Sequence, residues 1–320
     1  MTTTGATTTG TPTIPAADPA ADPAPGTEQS HDQEQEQEQE QAHGRAARLR
    51  SALGSLAARP GLLLAVLYLA LILAWTLLPS LFAGEDPLRT NPAASLTPPG
   101  AEHWFGTDNL GRDLFTRVVH GTRTSITAAL IAVSLSLVAG TVLGVLSGYL
   151  GGWVDQTLMR CVEVLIVIPG LLLSLAVVSI LGFGVTNVAI AVGISGIPGF
   201  ARVIRAEVLR IKSSVYFQAA VTSGTRTPVI LARHVLPNAS QPVLVLAALE
   251  IGGAVLSVSA LSFLGYGAAP PAPELGAMVA QGRDYISTAW WLTTFPGLAI
   301  ALIVLSANRV GRALERTGAQ

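Results

Sequence analysis

Long stretches with at most one charged residue, most of them strongly apolar, alternate with charged segments along the chain from residue 60 onward. Only one of these stretches contains a charged residue, and they cover residues 60–84, 124–154, 164–201, 240–267 and 286–308. An α-helix rises about 1.5 Å per residue, so about 20 apolar residues cross a hydrocarbon core of about 30 Å. Each stretch is therefore long enough for at least one membrane span.

The third stretch is too long for a single span. As one helix, residues 164–201 would extend about 57 Å, nearly twice the thickness of the hydrocarbon core. We place a turn at Gly182–Gly184, which gives two spans of about twenty residues each. Pro169 and Pro198 then lie inside these spans, where kinks are tolerated. The pattern predicts an all-α membrane protein with six transmembrane helices.

The polar segments divide the rest of the chain. Residues 1–44 are rich in Thr, Pro, Ala, Gln and Glu and are predicted to be a disordered tail. Residues 45–123 hold the first transmembrane helix and a loop, in which residues 114–120 are predicted to form a short interfacial helix. Residues 124–315 form the main transmembrane domain, which includes a polar segment at 213–238.

The distribution of Lys and Arg orients the chain in the membrane. With six spans, fourteen of the nineteen basic residues lie on the same side as the amino-terminal tail. Basic residues are enriched in cytoplasmic loops, so both termini and the 213–238 segment are predicted to be cytoplasmic. The predicted location is the cell inner (plasma) membrane.

Composition and motifs exclude several classes of function. The chain is 50% hydrophobic and 12% charged, with a formal net charge of -1, and it has no basic strip for nucleic acid. It has no Gly-rich phosphate loop ending in Gly-Lys-Ser/Thr and no nucleophile elbow. Its histidines lack Cys or carboxylate partners at the spacing of metal ligands. We therefore assign no catalytic residue, no metal site and no cofactor to this chain.

The pattern of residues in the 213–238 segment predicts two short helices joined by a bend. Ser213 or Ser214 is suited to cap the first helix, and Gly224 to the left-handed residue that follows a helix end. Thr227 followed by Pro228 begins a second helix, which must stop near Leu236 because the following Pro237 disfavours helical geometry before it.

One face of the first helix carries small side chains. Ala219 and Ser223 are four residues apart, as are Ala220 and Gly224, so each pair lies on one side of a helix. Another protein could approach the backbone closely there. Spacing alone equally allows an ordinary amphipathic loop between membrane spans.

The same segment resembles the cytoplasmic coupling motif of binding-protein-dependent ABC importer permeases. The matching residues are Gln218, Ala219, Ala220, Gly224, His234, Leu236 and Pro237. The family usually has Glu where this chain has Gln218, so one charge that could pair with an ATPase is missing. Docking, as the resemblance implies it, relies on close approach at Ala219, Ala220 and Gly224.

Four further blocks are similar to the dipeptide, oligopeptide and nickel subfamily of these permeases. They are His103–Asp113, Gly148–Asp155, Leu261–Gly265 and Gly282–Tyr285, and the resemblance covers residues 60–315. It implies the type I ABC importer permease fold. It also implies a second homologous permease, two ATP-binding subunits that use ATP, and an extracytoplasmic substrate-binding protein. Tyr216–Asn238 would be the segment that couples to the ATPases.

Glu250 is the one acid deep within an apolar stretch, and intramembrane carboxylates are often functional. One hypothesis is that it lines the substrate path. A rival hypothesis is an ion-coupled secondary transporter in which Glu250 carries a proton and no partner is needed. The third alternative is a structural carboxyl group held by neighbouring Ser or backbone groups in the helix bundle.

Overall fold

The computed structural model describes residues 60–223, 229 and 236–318, and these residues form helices and loops. The only β-type pairing among them is an isolated antiparallel bridge between Thr107 and Asp113. The main helices, numbered here α1 to α9, are Pro60–Leu77, Leu114–Leu150, Gly152–Val167, Gly170–Leu181, Val185–Lys212, Val215–Thr222, Leu236–Phe263, Leu275–Gly282 and Trp291–Gly318. Single turns add Pro79–Phe82, Pro92–Ala94 and Arg283–Tyr285. The predicted tail at 1–44 lies outside the described residues.

Five helices are long and apolar enough to cross a membrane: α1, α2, α5, α7 and α9. The remaining predicted span, the first of the two in residues 164–201, corresponds to α3 and α4 together, a pair bent by 96° at a short break. The described part of the chain therefore has five spans, or six when the bent pair counts as one. This agrees with the predicted all-α, six-span architecture.

The first turns of α2 correct one prediction. Residues 114–120 are not a separate interfacial helix, because α2 runs without a break from Leu114 to Leu150, a length of about 55 Å. Its start is fixed by Asp113, whose carboxylate accepts a hydrogen bond from the backbone N–H of Thr116 at 2.8 Å. At this length, α2 extends well beyond the hydrocarbon core.

The long apolar stretch turns where the sequence places the turn, but it also breaks a second time. Helix α4 ends at Leu181 and α5 begins at Val185, with Gly182 and Gly184 at positive φ. Pro169, predicted as a kink inside a span, instead separates α3 from α4. Its ring fixes φ, and the preceding residue is driven into an extended conformation, so the chain turns sharply. Helix α4 alone is too short to span the membrane.

The remaining elements differ from prediction mainly at their ends. Helix α7 begins at Leu236, α9 begins at Trp291 rather than at residue 286, and Pro198 lies inside α5 as predicted. Helix α8, Leu275–Gly282, follows the proline-rich loop and was not predicted. Its eight residues are too few to produce a clear apolar pattern.

Helices α2 and α5 form the most extensive contact in the fold. Gly140, Gly144 and Gly148, spaced four apart on α2, bring its backbone against α5. A β-carbon at Gly144 would lie 2.7 Å from the carbonyl oxygen of Ala201. Helix α1 packs on α9 and α2, and α7 packs mainly on α9, α5 and α2. The α2–α5 pair is therefore the rigid centre of the subunit.

Candidate functional site

Helix α6 contains the first part of the predicted coupling segment and follows α5 after only two residues. The hydroxyl group of Ser213 donates to the carbonyl oxygen of Arg210 at 2.8 Å, and that of Ser214 donates to Ile211 at 2.6 Å. Both hydroxyl groups therefore bond to carbonyls in the last turn of α5, and the capping of the following helix by one of these serines stays a prediction. This tight junction joins α6 directly to the end of α5.

The residues of α6 have two different environments. Phe217 is buried and belongs to the hydrophobic core, whereas Gln218 is exposed. Ala219 and Ala220 lie in the same helix, which ends at Thr222, close to the predicted helix end before Gly224. Phe217 fixes one side of α6 on the core and leaves Gln218 accessible to another protein.

The rest of the predicted motif is only partly described. Gly224 and His234 lie outside the described residues, as does the predicted Thr227–Pro228 helix start. Leu236 and Pro237 are the first two residues of α7. Proline is tolerated in the first turn of a helix because its missing N–H has no partner there anyway. The structure therefore brings Gln218, Ala219 and Ala220 together, and the assignment of all seven motif residues stays a prediction.

Lys212 joins the end of α5 to the end of α2. Its ammonium group donates to the carbonyl oxygens of Gly148 at 3.2 Å and Tyr149 at 2.8 Å, and lies 5.7 Å from the centre of the Tyr149 ring. A cation at the carboxyl end of a helix also interacts favourably with the helix dipole. This contact is located immediately before α6.

An ion pair adds α3 to the same end of the fold. Arg205 on α5 donates through Nε and Nη2 to the two carboxylate oxygens of Asp155 on α3, each at 2.6 Å. The hydroxyl group of Ser147 on α2 donates to the same carboxylate. A bidentate Arg–carboxylate pair fixes the relative orientation of its two helices. We call this set of contacts, made by Ser147, Asp155, Arg205 and Lys212, the inner clamp.

The opposite end of α2 carries a folded loop around the His103–Asp113 block. The buried carboxylate of Asp108 accepts from Arg112 Nε at 2.6 Å and lies 3.5 Å from Arg117 Nε. Trp291, at the start of α9, donates to the carbonyl oxygen of Thr107 at 3.1 Å. The loop is thus attached to the ends of α2 and α9. His103 contacts Asp113 at 2.9 Å, and the described residues contain no cluster of three potential metal ligands.

Glu274 is a buried carboxylate that the sequence interpretation missed. Its side chain is fully buried and caps α8, accepting from the backbone N–H groups of Gly276 at 3.0 Å and Ala277 at 2.8 Å. It also accepts from the hydroxyl group of Ser125 at 2.8 Å. Ser125 in turn accepts from the N–H of Leu275 at 3.2 Å. These bonds fix α8 against α2.

Glu250 lies half-buried on α7. Its carboxylate makes no hydrogen bond or ion pair with any residue that the structure describes. Gly253, one turn along, and Leu256 are both exposed, so Glu250 borders a surface of the subunit that its own helices leave open. A carboxylate is costly in lipid, which favours a surface that faces protein or water.

A match to a protein family decides between the importer permease and the ion-coupled transporter. Residues 140–317 match the model described as the binding-protein-dependent transport system inner membrane component. The chain belongs to this family. It is a permease subunit of an ABC importer, a multi-pass inner-membrane protein with the type I permease fold. Membership does not favour the ion-coupled secondary transporter.

Several curated relatives of the permease have substrates in their names. The dipeptide transport system permease protein DppC of Alkalihalophilus pseudofirmus is 40% identical over 235 residues, which are 73% of this chain and 77% of the relative. The glutathione transport system permease protein GsiD of Pectobacterium atrosepticum is 43% identical over 217 residues, 68% and 72% of the two chains. The probable D,D-dipeptide transport system permease protein DdpC of Escherichia coli is 42% identical over 229 residues, 72% and 77% of the two chains.

The inner clamp of the permease was not predicted as a site. Lys212 is the only lysine in the chain, and no motif in the sequence marks it. Two signals were present: the four-residue spacing of Gly140, Gly144 and Gly148, and the position of Asp155 within a block that resembles the family. Spacing alone indicates a close helix contact. It does not indicate which helix supplies Arg205.

Glu250→Gln tests whether the intramembrane carboxylate of the permease takes part in transport. We expect uptake to fall roughly tenfold with normal abundance, since the change removes the charge and keeps the size of the side chain. The measurement is ATP-dependent uptake into proteoliposomes that contain the complete transporter. Glu163→Gln is the matched control, because Glu163 is exposed and its ion pair with Arg160 lies at the surface. Unchanged uptake in Glu250→Gln would remove both transport roles of this residue.

Proposed function

We propose that the permease forms half of the translocation path of an ATP-driven importer for short peptides, together with a second, homologous permease. The support is the names of three relatives at 40% to 43% identity, whose substrates are dipeptides, D,D-dipeptides and glutathione. All three are short peptides, so we favour peptides over nickel. Two ATP-binding subunits and an extracytoplasmic substrate-binding protein complete the proposed importer.

The proposed energy source is ATP used by the partner subunits, and we assign no ATPase site, catalytic residue or cofactor to this chain. Tyr216–Asn238 is the proposed docking segment. The observation that carries this mechanism is the tight junction of α5 and α6 next to the inner clamp. Closure of the ATPases would displace α6, and the α2–α5 pair would transmit that displacement to the path. Such rigid-body motion is a common basis of alternating access.

We also propose that both termini and α6 face the cytoplasm. The charge distribution of the sequence supports this orientation. The fold is consistent with it, since the end of α5 contacts the end of α2, and Arg309 near the end of α9 lies against Gly61 at the start of α1. Glu250, in turn, is a proposed residue of the path.

Gly224→Leu tests the docking segment. We expect the variant to insert and accumulate nearly normally while peptide uptake is uncoupled from ATP hydrolysis, because a large side chain would block close approach of the ATPase. Uptake and ATP hydrolysis are measured together in proteoliposomes of the complete importer. Gly297→Leu is the control, since a β-carbon at Gly297 on α9 meets nothing within 4 Å.

Two results would contradict the proposal. Wild-type uptake by Gly224→Leu would show that the small-residue face has no role in coupling. Peptide uptake by liposomes that contain the permease alone would show that it needs neither ATPase nor a second permease. In the proposed importer, the permease alone moves no peptide.

A further inference from the structure

A cleft of about 890 Å³ lies between α1 and α9, at the end of the fold where α1 begins. It is lined by six of the first nine residues of α1 and by eight residues of α9 between Leu302 and Arg316. It is separate from Glu250, from α6 and from the inner clamp. Nothing in the proposed transport mechanism uses it.

One part of the cleft is strongly basic. Arg309, Arg312 and Arg316 follow one another at intervals of three and four residues, so they lie on one side of α9, and all three line the cleft. They are exposed, and none forms an ion pair with a residue that the structure describes. Glu315, their neighbour in sequence, is not part of the lining. Three guanidinium groups at one opening therefore lack a carboxylate partner within the described part of the chain.

The start of α1 adds to the positive potential of the cleft. The first backbone N–H groups of an α-helix have no partner within the helix, and this end of the helix dipole is positive. Pro60 and Gly61 begin α1 and line the cleft, and the Arg309 guanidinium lies where a β-carbon of Gly61 would be. Helix dipole and guanidinium groups thus favour the same ligand, an anion.

The other part of the cleft is apolar. Leu64 and Leu305 are 66% and 65% exposed, and with Leu302 they form a wall that continues from the arginines toward the middle of the two helices. The hydroxyl group of Tyr68 donates to the carbonyl oxygen of Ala299 at 3.3 Å. This bond joins α1 to α9 beyond the leucine wall, so the cleft is basic at its opening and apolar along its length.

We propose that this cleft binds one anionic phospholipid. A phosphodiester accepts hydrogen bonds from guanidinium groups, and basic pockets between transmembrane helices on the cytoplasmic side bind anionic head groups. A soluble anion would occupy only the basic part of the cleft, and a zwitterionic lipid would leave the arginines without net countercharge. The head group contacts Arg312 and Arg316, and an acyl chain lies along Leu64, Leu302 and Leu305.

The proposal is tested with the complete transporter in nanodiscs of phosphatidylcholine, to which phosphatidylglycerol is added in steps. Bound lipid is counted by native mass spectrometry. In the double variant Arg312→Gln/Arg316→Gln, the affinity for phosphatidylglycerol is expected to fall roughly thirtyfold, from the effect typical of two basic residues at a membrane surface. The control is Arg160→Gln/Arg210→Gln, which removes two exposed arginines that already pair with Glu163 and Glu207.

Retention of phosphatidylglycerol by the wild type and the control, with loss in the double variant, would support the proposal. Three results would overturn it: no lipid retained by the wild type, equal affinity of the double variant, or equal retention of phosphatidylcholine, which would mark an apolar contact only. Inorganic phosphate serves as the soluble probe. If millimolar phosphate displaces phosphatidylglycerol from the wild type, the site binds a soluble anion rather than a lipid.

Discussion

Gly144→Leu is expected to prevent accumulation of folded permease in the membrane. A β-carbon at this position would lie 2.7 Å from the carbonyl oxygen of Ala201 and 2.9 Å from Cβ of Ile204, and Leu adds three further carbons. Overpacking a well-packed core typically costs about 1–3 kcal/mol, and here backbone would have to move against backbone. A loss above about 3 kcal/mol is large beside a total stability of about 5–15 kcal/mol. Abundance in membranes and thermal unfolding in detergent measure the effect.

The control for this change comes from the partner helix. A β-carbon at Gly199 on α5 meets nothing within 4 Å, so Gly199→Ala should be neutral or slightly stabilising, as expected for Gly to Ala inside a helix. Gly144→Ala should already be destabilising. If Gly144→Ala and Gly144→Leu both match the wild type in abundance and unfolding temperature, then α2 and α5 are not in the close contact described above.

Glu274→Ala is expected to lower the free energy of unfolding by roughly 3–5 kcal/mol. The change removes the acceptor for two backbone N–H groups and for the Ser125 hydroxyl group, and each buried unsatisfied group costs about 1–3 kcal/mol. The loss is expected to release α8 and the neighbouring loop first. Proteolysis after residue 267, followed by mass spectrometry, would detect that release alongside the change in thermal stability.

Two further variants separate the hydrogen bonds of Glu274 from its charge. Glu274→Gln keeps the size and one carbonyl acceptor, so its loss should be smaller than that of Glu274→Ala. Glu102→Ala removes a carboxylate from an exposed position and should leave stability within about 0.5 kcal/mol of the wild type. Equal stability of Glu274→Ala and Glu102→Ala would contradict the buried position of Glu274.

The transmembrane helices could largely be predicted from sequence, because burial in a bilayer demands long apolar stretches whatever the tertiary contacts are. The length of the stretch required a turn, and the glycines at Gly182–Gly184 indicated its position. The break at Pro169 did not, because a proline inside a span is compatible with either a kink or a sharp turn. Which one occurs depends on the helices that pack around it. The continuous start of α2 was missed because charged residues outside the membrane hid its link to the apolar stretch.

The sequence also indicates only those residues of the candidate site that are close together along the chain. Gln218, Ala219 and Ala220 could be proposed from sequence because they are adjacent and resemble a motif. The ion pair of Asp155 with Arg205 joins residues fifty positions apart, and no local pattern links them. Glu274 was missed for a related reason. A carboxylate next to a proline-rich loop is usually exposed, and only the fold brings Ser125 to it.

The uninterrupted α2 gives the permease a physical link between the two faces of the membrane. One end begins at Asp113, in the loop held by Asp108 and Trp291, and the other end is held by Lys212 beside α6. If the binding protein docks on that loop and, as proposed, the ATPase docks on α6, the two partners act on opposite ends of one helix. Thermodynamic linkage then requires the two binding equilibria to affect each other equally: if ATP raises the affinity for the binding protein, the binding protein raises the affinity for ATP by the same factor. We therefore expect a loaded binding protein to raise the affinity of the permease–ATPase complex for ATP, and ATP to raise the affinity of that complex for the loaded binding protein by the same factor.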